Sequence, residues 1–265
     1  MGLERLRLCD DVSPAQWIVE CIHPFAQDVG SIVPEGFGAY ARIFHPAERN
    51  EGEGTVPVRW SEVAEANGRI AHSEMQWPTI ALREPYSNWR HPGLWDREPN
   101  EGSLPADLVP ELVEVLRRHT STPDRVWFAV WNGYSGLAFD DSGIGTTDLS
   151  AWPGSRIESG KGLRAVGARR QPPSAPTFEL PGRAYWLLSG PIDAATESLG
   201  RWHQSANLWW PGDRAWCVAT EIDFSWTYVG GTESLIEELL ANPALEVMRA
   251  ELSHGVTWDS DHLNR

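Results

Sequence analysis

Three segments of the chain begin with arginine and then run without interruption through apolar and aromatic residues: Arg125-Val-Trp-Phe-Ala-Val, Arg183-Ala-Tyr-Trp-Leu-Leu and Arg214-Ala-Trp-Cys-Val-Ala. A strand with one wet face alternates apolar and polar residues, because successive side chains point to opposite faces. An unbroken run offers nothing to water on either side, so each segment predicts a central strand covered on both faces. The arginine marks where each strand enters the core. Six-residue matches are too short to define a repeat, and shared strand chemistry accounts for them. The later connections are too short or irregular for regular βαβ crossovers. The expected fold is therefore α+β, a single domain over residues 1–265 with a central, largely antiparallel sheet flanked by a few helices.

Other elements follow from local pattern. Gln16–Ile22 (QWIVECI) is β-branched and aromatic and reads as a first strand. Gly36–Pro46 is a second, with Phe37, Ala39, Ala41 and Ile43 on one alternating face. A short helix is expected over Ser61–Ala66, stopped by Asn67-Gly68. The proline-rich stretch Trp77–Pro105 should be irregular and wrapped over the surface. Asp107–Arg118 is the clearest helix: Leu108, Leu112, Val115 and Leu116 form one stripe, and Arg117 and Arg118 suit its negative end. Ser189-Gly190-Pro191 predicts a helix over about Ile192–Leu199. A last helix over Ser234–Ala241 carries Ser234 and Glu237 at capping-box spacing and is ended by Asn242-Pro243. Trp210-Pro211-Gly212-Asp213 has the residues of a type II turn and is expected to close a hairpin.

Fifteen tryptophans stand out in composition, five of them between Trp202 and Trp226. Such density builds either an aromatic core or a surface that stacks on flat ligands. The formal charge is −15, from 37 acidic and 22 basic residues. Repulsion from phosphate makes nucleic acid and anionic membrane unsuitable partners, and a basic protein a suitable one. The one basic island lies in a Gly/Ser/Arg/Pro-rich stretch, read as a mobile loop over about 154–176, where Arg156, Lys161, Arg164, Arg169 and Arg170 face a single acid, Glu158. The N-terminal residues carry charges throughout and lack the apolar run of a secretory signal, and no apolar stretch reaches the ~18 residues of a membrane span. Cys9, Cys21 and Cys217 are odd in number and far apart, so they are expected to be free thiols in a reducing cytoplasm.

Familiar chemical motifs fail. GSRIESGK at 154–161 has the wrong glycine spacing for a phosphate loop, and Gly162 stands where a hydroxyl should bind magnesium. Asp140-Asp141-Ser142-Gly143 is too short for a calcium loop. The C-terminal residues His254, Asp259, Asp261 and His262 are metal-capable at close spacing but match no ligand pattern, and a solvated end explains them. Neither a metal nor a cofactor is expected.

The strongest local candidate is Trp209–Tyr228. A tight hairpin at Pro211-Gly212 puts Trp209 opposite Arg214 as a cation–π pair, and a strand through Glu221-Ile222-Asp223 puts both carboxylates on one face. Paired carboxylates can serve as acid and base, as glycoside hydrolysis requires; a polar edge at the end of a buried strand is the plainer explanation. The candidate ligand-binding residues are Trp209, Trp210, Arg214, Trp226, Tyr228 and, from the strand Trp127-Phe-Ala-Val-Trp131, Trp131. Glu221 and Asp223 are the candidate catalytic pair should the chain be an enzyme.

The segments WFAVWNGYSG, FELPGRAYWLLSGPIDAA and SANLWWPGDRAWCVATEIDFSWTYVGG resemble stretches of uncharacterised proteins of high-GC Gram-positive bacteria, over roughly residues 125–245. The resemblance implies a bacterial, cytoplasmic protein and brings no activity, cofactor or site residue. Two functional classes follow from the residues. One is an acidic binding protein that recognises a basic protein partner, as immunity and antitoxin proteins do. The other is an enzyme or binder of a flat small ligand such as a carbohydrate, with the tryptophans as platform and Glu221 and Asp223 as acid and base.

Overall fold

A computed structural model describes residues 5–25, 27–81, 94–134, 137–140, 143–146, 175–199 and 204–264. Trp89, Trp152, Trp202 and all of the basic 154–176 stretch except its last two residues lie outside them.

The strands are β1 (Arg7–Leu8), β2 (Ala39–Phe44), β3 (Ala47–Glu51), β4 (Gly54–Val58), β5 (Val126–Trp131), β6 (Leu137–Asp140), β7 (Gly143–Thr146), β8 (Thr177–Leu180), β9 (Arg183–Gly190), β10 (Leu208–Pro211), β11 (Cys217–Ala219), β12 (Trp226–Gly231) and β13 (Val247–Ala250). Nine of them form one sheet in the order β1-β9-β5-β10-β11-β12-β2-β13, with β8 sharing an edge of β9 with β1. β3–β4 and β6–β7 are separate two-stranded ribbons. Every strand pairing among the described residues is antiparallel, and helices flank the sheet, so the α+β expectation holds.

Both faces of the sheet are covered, and each face has its own core. On one face Leu208, Trp210, Cys217, Ala219, Tyr228, Tyr40 and Phe44 pack against α1 (Gln16–Cys21), α2 (Trp60–Ala66) and α3 (Trp77–Ile80). On the other, Trp209, Val218, Val229, Phe128, Val130, Leu188, Ala41 and Ile43 pack against α4 (Leu108–Arg118) and α5 (Glu233–Ala241). Alternation along each central strand thus feeds two cores at once, and this is why the apolar runs are unbroken. Ala39, Ala41 and Ile43 share the α4/α5 face as expected, whereas Phe37 precedes the strand and packs with the opposite core.

α4 is as expected, burying its apolar stripe with Arg117 and Arg118 in its last turn. The Trp216 indole donates to the Leu116 carbonyl at 3.0 Å and satisfies one orphan acceptor near the helix end. α2 also matches. Its first two N–H groups, of Trp60 and Ser61, donate to the Glu246 carboxylate at 2.7 Å each, a cap supplied from the far end of the chain.

Four local expectations are corrected. Gln16–Cys21 is a helix, entered through a 3-10 turn at Ser13–Ala15 in which Asp11 accepts from the Ser13 N–H and hydroxyl. Of its β-branched residues only Ile18 is buried, which suits one helical stripe and no strand. The segment after β9 is a 3-10 helix over Ile192–Thr196. The cap of α5 is Thr232, whose hydroxyl accepts from the Leu235 N–H at 3.2 Å, so Ser234 lies inside the helix. Finally, Pro211 still belongs to β10, paired with Val126, and the turn runs from Pro211 to Arg214, closed by Arg214 N–H on the Pro211 carbonyl at 2.9 Å. A Pro-Gly hairpin does exist at Pro181-Gly182, where Leu180 pairs with Arg183 and Gly182 takes φ +83°.

Candidate functional site

The shift of that turn rearranges the tryptophan-rich segment. Trp209 lies opposite Val218 and Phe128, far from Arg214 in register. Its ring stacks on Phe128 at 6.0 Å and meets Trp216 edge-on at 5.3 Å, leaving 3% of the residue exposed. Trp210, 1% exposed, points into the other core against Trp17. Arg214 adopts φ 55° and sits over Trp17 at 5.4 Å. Trp226 is sandwiched between Phe224 at 4.3 Å and the buried guanidinium of Arg42 at 3.9 Å, and Tyr228 is 1% exposed. The predicted platform is thus divided between two cores, with its rings packed against neighbours.

Glu221 and Asp223 do come together, but on a turn between β11 and β12 and not on a strand; the Phe224 N–H closes it on the Glu221 carbonyl. Between them stands Arg183, the first residue of β9, aimed by the Pro181-Gly182 hairpin. Its Nε donates to Glu221 Oε1 at 2.6 Å, and its Nη2 reaches both Glu221 Oε1 at 2.5 Å and Asp223 Oδ2 at 3.2 Å. The second Glu221 oxygen accepts from the Asp223 N–H at 2.7 Å. Trp131 and Phe25 flank the guanidinium at 5.3 and 5.4 Å. The carboxylate pair and the Trp131 face are therefore occupied by a cation of the protein's own. A cavity of about 30 Å³, room for about one water, adjoins Glu221, Tyr185, Asn207 and Thr220.

Below this turn lies a buried polar chain. Asn207 accepts from the Trp131 N–H and donates to the Tyr134 hydroxyl and the Thr220 carbonyl, tying β5, β10 and β11 at one level. His45 Nδ1 is 2.7 Å from the Asn100 carbonyl, so that nitrogen carries the proton and Nε2 accepts from Thr227, 2.9 Å away. Burial, with the nearby positive Arg42 adding to it, lowers the His45 pKa to about 4 and keeps the ring neutral.

On the other side of the turn is a groove of about 220 Å³. Trp77, Phe224 and Trp226 form its apolar wall, and Glu98, Glu101 and Asp223 are the only charged residues that line it. Gly102 stitches the Glu98–Leu104 strap to the turn: its N–H donates to the Phe224 carbonyl at 2.9 Å, and at φ +75° a Cβ would lie 2.4 Å from the Ile222 carbonyl oxygen.

Trp258 completes the rim and is 83% exposed. It sits at the second position of a turn closed by Ser260 N–H on the Thr257 carbonyl, with the Ser260 hydroxyl on the same oxygen. Val256 before it and Asp261 after it are each 1% exposed. Asp261 accepts from His72 Nε2, the Thr79 hydroxyl, the backbone of Gln76, Leu263 and Asn264, and the Asn264 amide. Burial raises its pKa, but hydrogen bonds led by Thr79, Asn264 and His72 outweigh that and hold it at about 2. Sequence pattern drew attention to Asp261 and His262 as possible ligands, and missed that Asp261 anchors the segment presenting Trp258. Among the described residues no group of three or more His, Cys, Asp or Glu is placed to hold a metal ion, and no helix is long and apolar enough to cross a membrane. Comparison with protein-family models, with curated proteins and with solved structures returned no match to this chain.

Proposed function

We propose that the protein is a non-catalytic binding module that recognises a basic protein partner, in the manner of immunity and antitoxin proteins. Trp258 carries this reading. An indole held in water by a hydrogen-bonded turn, between two buried residues, is the kind of aromatic anchor found at the centre of protein interfaces. A formal charge of −15 selects partners of opposite sign and steers their approach. The other reading, binding or turnover of a flat ligand such as a carbohydrate, needs open ring faces and a free pair of carboxylates. Trp209, Trp210 and Trp226 are packed inside, and Glu221 and Asp223 are engaged by Arg183.

The test is affinity capture from bacterial extract with the full chain as bait, in parallel with Trp258→Ala. The proteins retained should be predominantly basic and should elute when salt is raised from about 0.1 M to about 1 M, where the screening length falls from about 10 Å to about 3 Å. A retained set with the same charge distribution as the extract, or one indifferent to salt, refutes the reading.

A further inference from the structure

We infer that the groove beside Trp258 is the docking site for an extended segment of that basic partner, which inserts an arginine side chain between the Trp258 indole and the groove carboxylates. This rests on the binding-module reading and specifies its chemistry. Charge complementarity names the occupant: Glu98, Glu101 and Asp223 line the groove without a lysine or arginine among the described lining residues. A cation beside carboxylates and a tryptophan face gains from both, and the planar guanidinium gains more than an ammonium because it can stack and hydrogen-bond at once.

Size excludes other occupants. At about 220 Å³ the groove is smaller than the roughly 300–1,000 Å³ of sites that enclose drug-sized ligands, so it takes a side chain and not a whole small molecule. Two residues of its wall, Trp77 and Trp226, are each 5% exposed and carry an indole N–H with no acceptor in the protein. Buried donors are normally paired, and main-chain carbonyls of a docked segment supply the missing partners. Trp258 itself contributes no packing that folding requires, so its exposed ring is free to close over the inserted side chain.

The probe is the peptide acetyl-Gly-Arg-Gly-Arg-Gly-amide, titrated into the full-length protein by calorimetry, with a citrulline-for-arginine peptide as the neutral control. The arginine peptide should bind, the citrulline peptide at least tenfold more weakly. Trp258→Ala and the double variant Glu98→Gln/Glu101→Gln should each lose at least tenfold in affinity, with circular dichroism unchanged. Equal binding of the two peptides overturns the inference, because the groove is then merely apolar. Unchanged affinity in folded Trp258→Ala overturns it, as does a shift of that variant from oligomer to monomer in sedimentation, which assigns the groove to a second copy of this chain. If the arginine peptide fails to bind while the wild type and Trp258→Ala retain basic proteins equally, the groove assignment falls and the binding-module reading stands. If neither peptide nor basic protein is retained, both fall.

Discussion

Replacing Asp261 by asparagine tests how the C-terminal segment is held to the fold, because the substitution keeps the shape and removes the charge. The carboxylate is fully buried and accepts hydrogen bonds from His72, Thr79, Gln76, Leu263 and Asn264. A carboxyl displaced from about 3.9 in the unfolded chain to about 2 in the fold contributes about 2.6 kcal/mol at neutral pH. Asparagine also turns one acceptor into a donor facing donors, which adds about 1 kcal/mol. The variant should therefore be about 3–4 kcal/mol less stable at pH 7. A depressed carboxyl pKa stabilises above its unfolded value, and the contribution is lost as the pH falls from about 4 to about 2. The gap between the two proteins should accordingly narrow to about 1 kcal/mol by pH 2. Urea unfolding followed by tryptophan emission, at a series of pH values, measures it. A loss below about 0.5 kcal/mol at pH 7, or a gap that does not change with acid, refutes the reasoning.

Two further outcomes are expected. His45 has a folded pKa near 4, below its unfolded value of about 6.5, so the unfolded chain takes up a proton first and stability falls with pH between about 6.5 and about 4. In an NMR titration the His45 ring resonances should stay at neutral positions until about pH 4; a midpoint near 6.5 contradicts the buried, neutral assignment. Arg183→Met leaves Glu221 nearly buried without its counter-charge and should cost about 2–4 kcal/mol, reduced from the roughly 3–5 of a fully buried pair because Asp223 is exposed. Adding Glu221→Met should recover at least about 1 kcal/mol in chemical unfolding. A double variant no more stable than the single one shows that packing, and not charge, dominates there.

Local rules succeeded where one face decides the structure. The Leu108–Leu116 stripe belongs to a helix that meets a single layer, and the unbroken runs at Val126 and Arg183 belong to strands that meet two. They failed at Gln16–Cys21, whose β-branched residues suit either state and whose helix is set by the preceding turn and by the docking of Ile18. They also assigned the Pro-Gly turn to 211–212, because nothing nearby shows that Pro211 is paired with Val126 on a neighbouring strand. The site was half visible. Glu221 and Asp223 were recognisable as a pair, but the arginine that neutralises them lies about 40 residues earlier and reads only as the start of a strand. Trp258 looked like part of a polar tail, because the contacts that pin it come from His72–Thr79, about 180 residues away.

The position of β2 bears on how the chain is made. It lies between β12 and β13, all six of its residues are buried, and His45 just beyond it bonds to Thr227, 182 residues later. At roughly 5–20 residues per second, a ribosome takes about 10–40 s to synthesise the partners of this strand. Throughout that interval Ala39–Phe44 has emerged as an apolar segment with both edges unpaired. Folding of this sheet therefore cannot advance from the N-terminus with synthesis. It waits for the last strands, and in the meantime the nascent chain offers chaperones a binding segment that vanishes on completion.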